Sequence, residues 1–146
     1  MNIMKKKTCG ILLYDSKKNF LSVYPFGNSG SQWNIPKGLN EGTESYLETA
    51  IREFKEETSL DIMNYTDEIK FMGIFEYSKT KDFCFYTAKL KGSFPDINEC
   101  HCISFFEIGG KEFPEISDYA ILNFDKDKDL IFHRFIKVMN NSRVFQ

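Results

Sequence analysis

From the start of the chain, apolar positions come in short runs closed by turn-forming residues. Thr8–Tyr14 reads as an apolar strand, Asp15–Asn19 as a turn, and Phe20–Tyr24 as the strand that returns to complete a hairpin. Pro25–Ser31 (PFGNSGS) is rich in turn formers and reads as a loop. Trp33–Ile35 is expected to be a short strand cut off by Pro36, with a glycine-punctuated loop over Lys37–Thr43.

The period then changes. Leu47, Ala50, Ile51 and Phe54 recur at helical spacing, which predicts a helix from about Glu44 to Thr58 with this stripe buried and its charged residues on another side. Ile69–Tyr77 and Phe83–Leu90 read as strong strands joined by the polar Ser78–Asp82. Ile103–Ile108 is a further strand, Gly109–Ser117 a loop, and Tyr119–Leu122 a short strand. Asp125–Met139 is expected to close the chain as an amphipathic helix, with Asp125 as its cap and Leu130, Ile131, Phe135, Val138 and Met139 as its apolar positions. Strands, a helix, more strands and a final helix give an α+β fold, expected as one domain over residues 1–146.

Composition narrows the class. Apolar residues make up 42% of the chain and aromatic residues 16%, with 15 Phe, so it should build a real core. The net charge of −2 argues against bulk attraction to nucleic acid or an anionic membrane. The apolar run after Lys5, Lys6 and Lys7 is shorter than the roughly 7–15 residues of a signal core, and no stretch nears the ~20 of a membrane span. A soluble, cytoplasmic protein is expected. Cys9, Cys84, Cys100 and Cys102 fit neither a disulfide framework nor a zinc pattern, and reduced thiols are expected. The acidic start Asp125, Asp127, Asp129 is not a calcium loop, because Leu130 stands at its glycine position and Ile136 at its closing glutamate.

The informative chemistry lies between Gly38 and Leu60. Residues three and four apart share a helix face, so Glu53, Glu56 and Glu57 gather their carboxylates on one side. Like charges at that spacing oppose one another, and a hard divalent cation resolves the conflict by taking oxygen ligands together with substrate phosphates. Taken alone, these charges are more plainly read as a solvated ladder of Glu48, Arg52 and Glu56.

Gly38, Glu44, Arg52, Glu53, Phe54, Glu56, Glu57 and Leu60 together resemble the Nudix box, and WNIPKG before it extends the likeness. Ser59 departs from the pattern by standing at its second glycine, where a positive φ is harder for serine. The resemblance implies a mixed β-sheet sandwiched between helices (α/β/α), with the box as a loop–helix–loop. It implies Mg²⁺, with Mn²⁺ as a substitute, held by Glu53, Glu56, Glu57 and a backbone carbonyl near Gly38. Arg52 would brace a glutamate, and Glu44 would assist through metal-bound water or by orientation. The general base would be Glu56 or Glu57, or else Glu112 or Glu115 on the later loop. Lys37, Tyr77 and Lys79 are candidates for substrate binding, with Trp33 a further aromatic near the site.

The implied reaction is hydrolysis of a phosphoanhydride in a nucleoside diphosphate linked to another group, a dinucleoside polyphosphate first. An NTP or RNA 5′-end pyrophosphohydrolase is the alternative enzyme, and a non-catalytic nucleotide sensor the alternative of another class. Expected partners are a small nucleotide substrate, with no nucleic acid unless that substrate is an RNA 5′ end and no membrane. A monomer or homodimer is expected.

Overall fold

Strand β1 (Lys6–Tyr14) organises the molecule, running parallel to β5 (Lys81–Lys89) over its full length. The computed structural model describes residues 4–146. The other edge of β1 is shared. Thr8–Gly10 pairs with β3 (Lys37–Leu39), and Tyr14 pairs with Phe20 of β2 (Asn19–Pro25). With β4 (Lys70–Glu76) and β8 (Ile116–Asn123) the sheet runs β4-β5-β1-β2-β8, and β3 lies off this path against β1.

Alternation along these strands divides the core in two. Cys9, Ile11 and Leu13 of β1, with Cys84, Tyr86 and Ala88 of β5, pack with Ala50 and Phe54 of helix α1 (Tyr46–Thr58). Leu12, Phe83 and Phe85 face the other way, onto Phe135, Val138 and Met139 of α2 (His133–Ser142). The result is the α/β/α sandwich that the box implied. Phe20, Phe54, Phe83, Phe85 and Phe135 are fully buried. Each such side chain stabilises the fold by roughly 1.5–3 kcal/mol. All four cysteines are free thiols. Among the described residues no helix is long and apolar enough to cross a membrane.

Several boundaries differ from expectation. Trp33–Ile35 makes only isolated bridges, Val23 to Asn34 and Trp33 to Ile131, while the expected loop supplies strand β3. Pro36 has no N–H to extend a ladder, so pairing resumes after it. Gly109–Ser117 is not a loop. Gly109 and Gly110 take positive φ at the turn of a hairpin, β6 (Phe105–Ile108) with β7 (Lys111–Pro114), and β8 follows directly. The final helix begins at His133, not Asp125. Asn123 Oδ1 accepts the N–H groups of Asp125 and Lys126, and Asp127 accepts that of Asn123, so these polar residues build a turn. Asp125 is therefore no cap, and Phe132 stands at the N-cap with no side-chain bond.

Candidate active site

Helix α1 starts from a full capping box. Ser45 accepts from the Glu48 N–H and Glu48 returns a bond to the Ser45 N–H. It ends at Ser59 in the left-handed region, φ 63°, the conformation a glycine would adopt more freely. Distant groups hold its last carbonyls. The Ile103 N–H donates to Glu56 O at 2.7 Å, Tyr119 Oη to Glu57 O at 2.5 Å, and the His101 N–H to Thr58 O at 3.3 Å.

The buried arc of α1 differs from the expected stripe. Leu47 is exposed, whereas Thr49, Ala50, Glu53, Phe54, Glu57 and Thr58 are buried. Glu53 and Glu57, one helical turn apart, therefore lie on the arc that meets β3 rather than on a solvated face. Gly38 explains how they fit. A Cβ there would stand 2.0 Å from the Glu53 carboxyl carbon, so a side chain on β3 would occupy the carboxylate's place.

Glu57 Oε1 accepts the Lys37 N–H at 3.1 Å. Burial pushes its carboxyl up to about 8 despite the opposing Lys37 charge. Burial likewise pushes Glu53 up to about 7, against the pull of Arg52. Glu115, between β7 and β8, brings its carboxylate to the pair, and ligand oxygens of Glu53, Glu57 and Glu115 lie within 4.8 Å of one another. Ser104 Oγ donates to Glu115 Oε2 at 3.3 Å.

Arg52 is the hub behind this trio. Its Nε reaches Glu44 Oε2 at 2.7 Å and its Nη2 reaches Glu44 Oε1 at 3.0 Å. Nη1 bonds Glu53 Oε1 at 2.9 Å and Glu56 Oε2 at 3.2 Å, and Nη2 bonds the Leu39 carbonyl at 3.2 Å. The guanidinium holds the Glu44 carboxyl down to about 2. One planar fork thus ties α1 to β3 and to the loop before the helix. Glu56 is half-buried on Arg52 and stands outside the trio.

The carboxylates open onto a cleft of about 620 Å³. Lys37, Tyr77 and Gly38 line it, whereas Lys79 is exposed and outside the lining. The Tyr77 ring lies 5.1 Å from Phe83 and 6.1 Å from Phe132, and its hydroxyl accepts from Asn34 Nδ2 at 2.9 Å. Trp33 packs edge-on to Tyr24 at 5.2 Å and does not line the cleft, and Glu112 is exposed on the hairpin outside it.

Lys81, Phe132 and Arg134 line the wall with Tyr77; Lys81 stands on the Tyr77–Phe83 turn from which the sequence suggested lysines could meet a phosphate chain, whereas Phe132 and Arg134 had not been singled out. Arg134 Nη1 donates to the Tyr77 carbonyl at 2.8 Å, fixing the start of α2 to the β4–β5 turn. These residues stand far from the box in sequence, so its spacing carried no signal for them. Two buried carboxylates whose burial favours protonation, a third beside them, and a glycine clearing their space fit a hard divalent cation. Lys37, Lys81 and Arg134 on the same cleft suit an anionic ligand next to it.

Residues 4–135 match the family model described as NUDIX domain. An uncharacterized 17.7 kDa protein from the e-segB intergenic region of Enterobacteria phage T4 is 28% identical over 145 residues, spanning 94% of this chain and 95% of that one. The fold is shared with the NUDIX domain of Shewanella oneidensis NrtR complexed with ADP ribose, at TM-score 0.67 and 14% identity, over 97% of this chain and 88% of that one. It is also shared with a C. elegans Ap4A hydrolase binary complex, at TM-score 0.64 and 19% identity, over 94% of each chain.

Proposed function

The chain belongs to the Nudix family, and we propose that it hydrolyses a phosphoanhydride in a nucleoside diphosphate linked to another group, with a dinucleoside polyphosphate such as diadenosine tetraphosphate as preferred substrate. The observation that carries this reading is the convergence of Glu53, Glu57 and Glu115 on a cleft whose other walls bear Lys37, Lys81 and Arg134. The relatives' names support the substrate class, since ADP ribose and Ap4A each join an adenosine nucleotide to a further group.

In this reading Glu53 and Glu57 hold Mg²⁺, or Mn²⁺ in its place, with the backbone of Gly38 beside them. The ion supplies charge neutralisation at the phosphates when bound. Lys37 and Lys81 bind the phosphate chain, and Lys79 meets only its far end from outside the cleft. Phe132 presents its ring to a base beside Tyr77. Glu115, nearer solvent than the other two carboxylates, takes a proton from the attacking water as the new P–O bond forms and the bridging P–O bond breaks. Glu56 waits on Arg52 as the alternative base. Glu44 and Arg52 touch no substrate and fix the helix against β3.

Product release from diadenosine tetraphosphate, ADP ribose, a nucleoside triphosphate and a 5′-triphosphate RNA, each with Mg²⁺, tests the assignment. The highest kcat/KM is expected for diadenosine tetraphosphate. Faster cleavage of the triphosphate or the RNA would overturn the substrate, and no cleavage of any of the four would overturn the reaction.

A further inference from the structure

A second cleft, of about 570 Å³, lies at the opposite ends of β1 and β5 from the carboxylates. Strand register fixes which side chains meet there. Residues paired across neighbouring strands share a sheet face, as do residues two apart on one strand. Lys70 of β4 pairs with Thr87 of β5, and Lys89 of β5 pairs with Tyr14 of β1. Leu12, which pairs with Thr87, and Phe85, two residues before it, belong to the core under α2. The row Tyr14, Lys70, Thr87 and Lys89 therefore continues the α2-facing side of the sheet where the apolar core stops.

Thr87 lines the cleft at 3% exposure, and its hydroxyl, which takes part in no hydrogen bond among the described residues, is not sealed off from solvent. The ammonium groups of Lys70 and Lys89 enter no ion pair among the described residues. Lys91 differs, lying 3.0 Å from Asp67, and this pair cancels its own charge. Glu68 is the remaining acid on the wall. Two free ammonium groups against one free carboxylate leave the cleft positive.

We propose that this cleft binds a phosphate group, with Lys70 and Lys89 as its counter-charges and the hydroxyls of Thr87 and Tyr14 as donors. A phosphate has more acceptor oxygens than a carboxylate and suits several donors lining one cleft, and bonds from charged donors are the stronger kind. The Tyr14 ring, held edge-on by Phe145 at 5.6 Å, gives the site a fixed wall. The proposal does not depend on the reading of the carboxylate cleft.

Amide shifts of the ¹⁵N-labelled full chain test it, followed at constant ionic strength without divalent cations during titration with inorganic phosphate and, separately, adenosine 5′-monophosphate. Saturable shifts are expected at Thr66, Thr87 and Lys89. The exposed double change Lys70→Gln with Lys89→Gln should weaken binding about tenfold or more. The near-isosteric Thr87→Val should weaken it about threefold to tenfold. Equal affinities for the two probes would assign the site to the phosphate alone, and tighter monophosphate binding would assign it to a phosphomonoester. Shifts that do not saturate, or that survive both variants unchanged, would overturn the site.

Discussion

Gly38 and Glu53 fit together only because Gly38 has no side chain: a Cβ there would stand 2.0 Å from the Glu53 carboxyl carbon and 2.2 Å from Oε1. Gly38→Ala should therefore push the Glu53 carboxylate off its position while Arg52 still pulls on it. We expect kcat/KM with Mg²⁺ to fall by on the order of 10²-fold, as misplacement of catalytic groups typically costs. Activity within a factor of about two of wild type would show that the close fit has no functional consequence.

Metal-free stability should fall as pH rises. Burial holds Glu53 and Glu57 protonated up to about 7 and about 8, whereas unfolded glutamates ionise near ~4.3. Between these limits the folded protein binds more protons than the unfolded chain, so this stabilisation is fully present below the unfolded value and lost as pH passes through the folded ones. Melting in a chelator at pH 5.5, 7 and 8.5 should give a declining Tm, and Mg²⁺ should raise Tm most at pH 8.5. A Tm that climbs with pH in the chelator would contradict the burial of these two carboxyls.

Arg52 contacts Glu44, Glu53 and Glu56 at 2.7, 2.9 and 3.2 Å with one planar group. Lysine offers a single point charge and cannot span all three. Arg52→Lys should lower kcat by about 10- to 100-fold, the usual cost of losing the partner behind a ligand, with KM nearly unchanged. Loss of substrate affinity at constant kcat would instead place Arg52 on the substrate.

Tyr119 Oη donates to the Glu57 carbonyl at the end of α1. Tyr119→Phe keeps the ring and strands that acceptor, which should destabilise the fold by roughly 1–3 kcal/mol. Urea denaturation would detect the change, and an unaltered midpoint would mean water replaces the hydroxyl at no cost.

Strong periodicity made much of the fold legible in the sequence. The apolar runs of β1 and β5 marked both as strands, and the helical spacing of Glu53 and Glu57 put their carboxylates on one side of α1, while Glu56 turned out to stand apart on Arg52. Strand β6 fell within the expected strand Ile103–Ile108, but its partner β7 was hidden because two glycines and two charged residues open a segment that looks like a loop. Asp125 misled because its turn chemistry and a helix cap use the same residue types. The pairing of Glu115 with Glu53 and Glu57 joins residues distant in sequence, which only the return of β8 along β2 brings together. The burial of both glutamates was unreadable for a similar reason, since β3 was not expected as a strand.

The central claim is that Glu57 acts through its negative charge, and Glu57→Gln measures this directly. The amide oxygen of glutamine can still accept the Lys37 N–H now bound at 3.1 Å, so the fold should persist and circular dichroism can verify it. Mg²⁺-dependent turnover of diadenosine tetraphosphate should drop by on the order of 10²-fold or more. Turnover like that of wild type in a folded Glu57→Gln protein would contradict the account.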